Sequence, residues 1–345
     1  MDENLLSMLK RLGLSQYEAL AYLTLLRKGA LSSMEIVREA GIPQPRIYDV
    51  LRNLEDKGLI SSSDGKPRLY TAEDPQVGLK RLVDSIKSRI DETHRAVAPI
   101  LQDIYRKRES SGEEPLAVWR ISSIQAIMDK MKQLISRAEF EVLIAAYKGI
   151  LDIVSSNLEE AFRRGVSSCL ITYERTDPVY IVDEHRVKIT RGVVIVISDR
   201  SELLFASQMN SSQRPAGYTT GNPDIIRLFT EYFLHNLRDL SKPIYTAYGV
   251  TVFERRFVNL VRAIDMIRSL WDRGYNVRVM VEGRYIANGE EATLEGRPVE
   301  TRYDVYAGIA RITLEDPRGR RYAIGGWGAT LEDVEAYYVY VMGYK

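Results

Sequence analysis

Apolar positions in the first 75 residues come in short stripes of helical spacing, separated by turn signals. Ser15, with Glu18 three residues on, forms a capping box, and Leu20, Leu23, Leu25 and Leu26 supply the apolar face that follows. Gly29 closes that predicted helix. Ser32 and Glu35 form a second capping box, opening a short helix with Met34, Ile36, Val37 and Ala40 that stops at Gly41-Ile42-Pro43. Ile47, Val50, Leu51 and Leu54 then stand at i, i+3, i+4 and i+7 and predict a third helix, ended by Gly58. Two extended runs, Leu59–Ser61 and Arg68–Thr71, flank Asp64-Gly65, a hairpin signal. Helix, tight turn, helix and hairpin over residues 1–75 is the order of a winged helix-turn-helix.

Residues 76–108 hold the longest regular pattern. Leu79, Val83, Ile86, Ile90, Thr93, Val97, Ile100 and Ile104 are spaced 4, 3, 4, 3, 4, 3, 4 with charges between them, a heptad seam that predicts a dimerising coiled coil. Pro99 is expected to kink or end it near Arg95. Arg106-Lys107-Arg108 reads as a solvated helix end and Glu109–Pro115 as a linker. Over 116–240 strand-like and helical runs alternate. Leu116–Ile121 reads as a strand, Ile124–Ala138 as a helix, Phe140–Ala146 as a strand and Ile150–Arg164 as a helix. Strands at Ser168–Tyr173, Val193–Ser198 and Glu202–Ser207 follow, then a helix at Asp224–Leu240. That succession implies an α/β domain. After Ser241-Lys242-Pro243, residues 241–345 read as a further domain. A helix over Phe253–Trp271 and a strand over Tyr275–Glu282 precede short strands, with hairpin-like turns at Glu290–Arg297 and Glu315–Arg320. The fold class is multidomain α+β.

Charge and composition narrow the chemistry. With 48 basic and 47 acidic residues the chain is no polycation, so contact with nucleic acid must come from a local patch. Such a patch is placed on the predicted recognition helix by Gln44, Arg46, Tyr48 and Arg52, and on the hairpin by Lys66 and Arg68. The alternative for this module is protein interaction. One cysteine, Cys169, excludes a disulfide framework, and three histidines suggest no metal cluster. No glycine-rich phosphate loop appears, so no cofactor is expected. The acidic start MDENLL and the lack of a long apolar run predict a cytoplasmic protein with no membrane partner. His185 near Lys188 is the best candidate for catalysis, but no second such pair exists, and a satisfied or exposed histidine is the preferred reading. Gly325-Gly326-Trp327-Gly328-Ala329 offers close backbone approach beside an aromatic face, and Glu332 can accept from hydroxyls, a set suited to a sugar. The alternative is a tight turn with Trp327 in the core.

Taken in order, these segments resemble the TrmB family of archaeal sugar-sensing transcription regulators over essentially the whole chain. The N-terminal part of the likeness lies in Leu14-Ser15-Gln16-Tyr17-Glu18-Ala19, Ile42-Pro43, Ile47-Tyr48-Asp49-Val50-Leu51 and Leu54-Glu55-Asp56-Lys57-Gly58-Leu59-Ile60. The C-terminal part lies in Gly325–Ala329 with Glu332-Asp333. The resemblance implies a middle domain similar to phospholipase D but without its His-x-Lys-x4-Asp motif, and indeed Val187 stands two after His185. It implies a sugar effector such as maltose, maltotriose, sucrose, trehalose or glucose, with Gly326 and Glu332 matching the family's sugar contacts. The family also uses an upstream asparagine, and Val305–Arg311 contains none. The expectation is a homodimeric, non-enzymatic regulator reading double-stranded DNA, its half-sites about one helical turn or a multiple apart. The alternatives are a ligand-independent architectural DNA binder and a phosphodiester- or sugar-acting enzyme.

Overall fold

The computed structural model describes residues 2–109, 117–207 and 215–345. It divides into two compact units, Met1–Glu113 and Glu114–Lys345.

In the first unit, α1 (Asp2–Arg11), α2 (Gln16–Lys28), β1 (Leu31–Ser32), α3 (Ser33–Ala40) and α4 (Ile47–Asp56) precede a hairpin of β2 (Ile60–Ser62) and β3 (Leu69–Ala72). Sequence pattern missed α1 and β1. The strands order β1-β3-β2, all antiparallel. Both capping boxes form, at Ser15/Glu18 and Ser32/Glu35, and Gly41 ends α3 with φ 63°. Gly41 thereby supplies the left-handed residue that a tight turn between helices needs. The predicted stripe Ile47, Val50, Leu51 and Leu54 is buried against Ala19, Tyr22, Leu25 and Ile36.

The long helix α5 (Pro75–Glu109) runs 35 residues and continues through Pro99. The expected end near Arg95 does not occur. Pro99 gives up its own backbone hydrogen bond and crowds the Arg95 carbonyl, but the turns on either side continue as helix. The start of α5 belongs to the winged helix: Leu82 is buried in its core, and Leu79 and Ile86 pack on it half-buried. Val83 is half-buried, whereas Ile90, Thr93, Val97, Ile100 and Ile104 are exposed. The linker expected over Glu109–Pro115 lies outside the described residues except for the backbone of Glu109, and the side chains of Arg106–Arg108 also lie outside them.

The second unit opens with β4 (Trp119–Ile121), α6 (Ile124–Arg137), β5 (Glu141–Ala146), α7 (Lys148–Arg163), β6 (Ser167–Thr172), β7 (Glu184–Val187), β8 (Val194–Ser198), β9 (Glu202–Ser207) and β10 (Ala216–Thr220). Then come α8 (Pro223–Glu231), continued by a π-helical segment over Tyr232–Arg238, and β11 (Lys242–Thr246). The eight strands order β11-β7-β6-β5-β8-β9-β10-β4, with only β5–β6 and β6–β7 parallel. Every position of β5, β6 and β8 is buried, because both faces of the sheet are covered. Helices α6 and α7 pack on one face, with Ile127, Met131, Val154 and Leu158 against Val142, Ile144 and Leu170. On the other, Ile226, Phe233, Leu234 and Leu237 meet Leu143, Ala145 and Ile171. The expected boundary after residue 240 falls inside this sheet, since Lys242–Thr246 is its edge strand, paired with β7.

The remaining elements are β12 (Glu254–Phe257), α9 (Leu260–Asp272), β13 (Asn276–Tyr285), β14 (Glu291–Asp304), β15 (Ile309–Glu315), β16 (Arg321–Gly325) and β17 (Val334–Tyr344). The order β12-β17-β13-β14-β15-β16, with a further β16–β17 pairing, closes five strands into a barrel. Helix α9 lays Ala263, Ile264, Ile267 and Leu270 against Val279, Leu294, Ile312 and Val341. Two expectations fail here. The helix begins at Leu260, not at Phe253, because Glu254–Phe257 forms an edge strand on β17. Glu291–Arg297 is strand, not turn, and pairs with β13 and β15.

Buried charge joins the two halves of this unit. Glu141 at the head of β5 accepts from Arg262 Nη1 (2.7 Å) and Asn259 Nδ2 (2.9 Å), both 5% exposed or less. Arg262 Nη2 donates to Ser168 O and Tyr248 Oη, each at 2.8 Å. Asp183 takes Arg255 Nε at 3.1 Å, and Glu184 takes Arg238 Nε at 3.0 Å. Burial alone raises the Glu184 carboxyl, but Arg238, Arg262 and Arg186 outweigh it and hold it at about 2.

Candidate functional sites

In the winged helix, Gln44 and Arg46 lie in a 3-10 turn at the entry of α4, and Tyr48 and Arg52 follow on the helix itself. All four are exposed, opposite the buried stripe. Lys66 and Arg68 are exposed between and beside β2 and β3. Arg46, Arg52 and Lys66 have no carboxylate partner among the described residues. Arg68 does: its Nη2 reaches Glu55 Oε1 at 3.3 Å and Ser62 Oγ at 2.5 Å, and its guanidinium lies 5.5 Å from the Tyr70 ring. It is thus partly committed to bracing the hairpin against the end of α4. The helix itself is anchored by Glu18, which besides capping α2 accepts from Asn53 Nδ2 (3.0 Å) and Lys57 Nζ (2.5 Å). Burial raises the Glu18 carboxyl, but Lys57, the Ser15 N–H and Asn53 together hold it below its ordinary value.

The second site is a cleft of about 500 Å³ between the two halves of the second unit. Gly326, Trp327 and Glu332 line it, on the turn between β16 and β17, as do Val305, Gly308, Ile309 and Ala310 from the stretch lacking asparagine. That turn is held by Ala329 N–H to Gly326 O (3.0 Å), Gly328 N–H to Glu335 Oε1 (2.7 Å) and Asp333 N–H to Ala323 O (2.9 Å). Gly325 is required by space: a Cβ there would stand 2.4 Å from the Ala329 Cβ. Glu332 accepts from Arg311 Nη2 at 3.3 Å. Trp327 is half-buried rather than in the core, and two guanidinium carbons lie near its ring centroid, Arg200 at 5.2 Å and Arg227 at 5.7 Å.

Arg200 and Arg227 are cleft residues that pattern reading missed. Arg200 sits in the three-residue turn joining β8 and β9, where Asp199 and Arg200 adopt φ 49° and 53°. Non-glycine residues rarely hold that conformation. Here the Asp199 carboxylate accepts the backbone N–H groups of Glu139, Phe140 and Glu141 at 2.8, 2.9 and 2.7 Å, which ties the turn down. Arg227 lies on α8, its Nη2 2.7 Å from where a Cβ on Gly328 would stand. On the same wall His235 bridges Glu231 Oε2 (3.0 Å) and Asp239 Oδ2 (3.2 Å), and Tyr303 Oη donates to Asp239 at 2.5 Å.

His185 is buried within the sheet, not offered to a substrate. Its Nδ1 accepts Val179 N–H at 3.1 Å, its Nε2 lies 3.1 Å from Thr172 Oγ1, and burial lowers its pKa to about 4. Lys188 Nζ donates to Asn236 O, away from it. Among the described residues no group of His, Cys, Asp and Glu side chains could hold a metal ion, and no helix is long and apolar enough to cross a membrane.

Residues 9–76 match the family model of the sugar-specific transcriptional regulator TrmB. Residues 117–245 match the N-terminal subdomain of the TrmB effector domain (EBD), and 252–343 the C-terminal EBD subdomain of TrmB and TrmBL1. The sugar-sensing regulator TrmBL1 of Pyrococcus furiosus is 26% identical over 345 residues, 97% of either chain. The DNA-binding repressor TrmBL2 of Thermococcus kodakarensis is 27% identical over 164 residues, 46% of this chain and 62% of its own. The solved structure of TrmBL2, described as an archaeal chromatin protein, shares the fold with a TM-score of 0.50 at 22% identity, over 71% of this chain and 100% of that one. With these three matches in chain order, the protein belongs to the TrmB family, which comprises sugar-specific transcriptional regulators and not enzymes.

Proposed function

We propose that this regulator works as a homodimer in the cytoplasm, reading operator DNA through Gln44, Arg46, Tyr48, Arg52 and Lys66 and taking its sugar effector in the cleft at Trp327. The observation that carries the effector assignment is the convergence of Gly326, Trp327 and Glu332 on one cleft of about 500 Å³, a volume in the range of small-molecule sites. Glu332 stands ready to accept from sugar hydroxyls, and Gly326 leaves backbone open beside it. Maltose, maltotriose, sucrose, trehalose and glucose are the candidate neutral effectors. The exposed seam Ile90, Val97, Ile100 and Ile104 on α5 supports pairing of two copies. A sugar regulates such a dimer only to the extent that it binds one arrangement of the protomers better than another.

The test is thermal unfolding against a panel of mono- and disaccharides, followed by DNA binding with and without any sugar that raises the midpoint. A midpoint shift removed by Glu332→Gln is expected. A ligand-independent architectural protein would show DNA affinity indifferent to every sugar, and that result would sink the effector assignment.

A further inference from the structure

Two cavities meet at one side chain. Besides the Trp327 cleft, a second cavity of about 350 Å³ lies between the halves of the second unit, lined by Asp239, Tyr245, Thr246, Asp265 and Ser269 among others. Among the described residues only Tyr303 lines both. Its half-buried phenol donates to Asp239 Oδ2 at 2.5 Å and stands 3.1 Å from His235 Nδ1. His235 belongs to the wall of the cleft and Asp239 to the wall of the second cavity, so the hydroxyl that touches both is the partition. Burial and the Asp239 carboxylate raise the Tyr303 pKa well above its ordinary value, which keeps the phenol a donor. The helix behind it is π-helical over Tyr232–Arg238, an irregularity that recurs at functional sites.

The second cavity suits a neutral guest rich in hydroxyls. Its charges are satisfied within the protein: Arg186 and Arg238 pair with Glu184 at 2.8 and 3.0 Å, Arg238 also pairs with Asp265, and Asp239 takes the Tyr303 hydroxyl. Ser269 donates to Tyr248 O at 3.1 Å, which leaves its oxygen to accept. Thr246 Oγ1 accepts the Tyr248 N–H at 3.4 Å, which leaves its O–H to donate. Half-buried Tyr245 adds aromatic surface beside these groups. Resting on the reading of the Trp327 cleft as the effector site, we infer that the second cavity is an extension subsite for a longer neutral sugar and that Tyr303 is the gate that closes it. With Tyr303 bonded to Asp239, a ring added beyond the phenol gains no contact. The subsite opens only when the side chain changes rotamer and gives up that hydrogen bond.

Calorimetric titration of the full chain with glucose, maltose, maltotriose, sucrose and raffinose tests the inference. In the parent protein neither trisaccharide is expected to bind more tightly than its disaccharide. In Tyr303→Ala the trisaccharide-to-disaccharide affinity ratio should rise about tenfold for the maltose or the sucrose pair, as the added ring finds contacts. Tyr303→Phe keeps the ring but frees it from Asp239, and should give a smaller rise; should the alanine variant fail to fold, this ratio decides. Ser269→Leu added to Tyr303→Ala fills the second cavity and should abolish the gain. A ratio unchanged by both Tyr303 substitutions, or a gain that survives Ser269→Leu, would overturn the extension subsite and leave the effector cleft standing. A parent that already prefers the trisaccharide would overturn the gate. Silence toward every sugar, in parent and variants alike, would overturn both readings.

Discussion

Glu18 ties two levels of the winged helix together. It closes a capping box on α2 and, through Asn53 and Lys57, pins the far end of the recognition helix. Glu18→Ala should therefore cost about 2 kcal/mol, more than loss of a solvent-facing cap alone, and weaken DNA binding as α4 loosens; urea unfolding and a mobility-shift titration would read the two effects. His185 gives a pH dependence whose sign is set by burial. Its pKa falls to about 4 in the fold, whereas an unfolded histidine titrates near 6.5, so the unfolded chain binds the extra proton between those values. Its contribution is present in full above about pH 6.5 and is lost as pH drops toward about 4. A melting midpoint that falls over this window, with a flatter slope in His185→Gln, is the expected result; Glu184, held at about 2, titrates below it. At this scale the capping boxes and the Gly326, Trp327 and Glu332 cluster were legible because each is local in sequence. Arg200 and Arg227 were not, since nothing near either residue announces that a turn and a helix will bring them to one indole ring.

Among the elements, α5 shows how one periodic stripe can serve two purposes. The heptad register of the sequence is real, but its first members, Leu79 and Ile86, are drawn onto the winged-helix core together with Leu82, which the register does not include. Periodicity reports that a face is apolar and not what covers it. The exposed remainder, Ile90 to Ile104, is the part available to a partner. Ile90→Asp combined with Ile100→Asp should convert a dimer to a monomer in sedimentation experiments, whereas Leu82→Asp should unfold the DNA-binding unit instead. A parent protein that sediments as a monomer would remove the seam from any role in pairing. The misplaced start of α9 has a similar cause. Phe253 and Phe257 fit a helical stripe as well as an edge strand, and only the long strand β17, far along the chain, decides between them.

For the molecule as a whole, the order of modules was readable from hydrophobic periods, turns and glycine placement. What binds the effector unit together was not. Glu141, Asp183, Glu184, Arg238, Arg255 and Arg262 belong to segments widely separated in sequence, and each alone looks like a surface charge. Arg262→Ala would leave Glu141 buried without its cation and should lower the stability of this unit by about 3–5 kcal/mol, visible in calorimetry as a downward shift of one transition. If the transition stays put, water reaches Glu141 and the network is looser than its burial implies.

The same network bears on how such proteins can be recombined. Sequence comparison divides the effector unit near residue 250, but Glu141 lies on one side of that cut while Asn259 and Arg262 lie on the other. A chimera joined there inherits a buried acid from one parent and its cation from another. Only parents that agree at all three positions should yield a folded hybrid, so the heritable module is the pair of subdomains taken together.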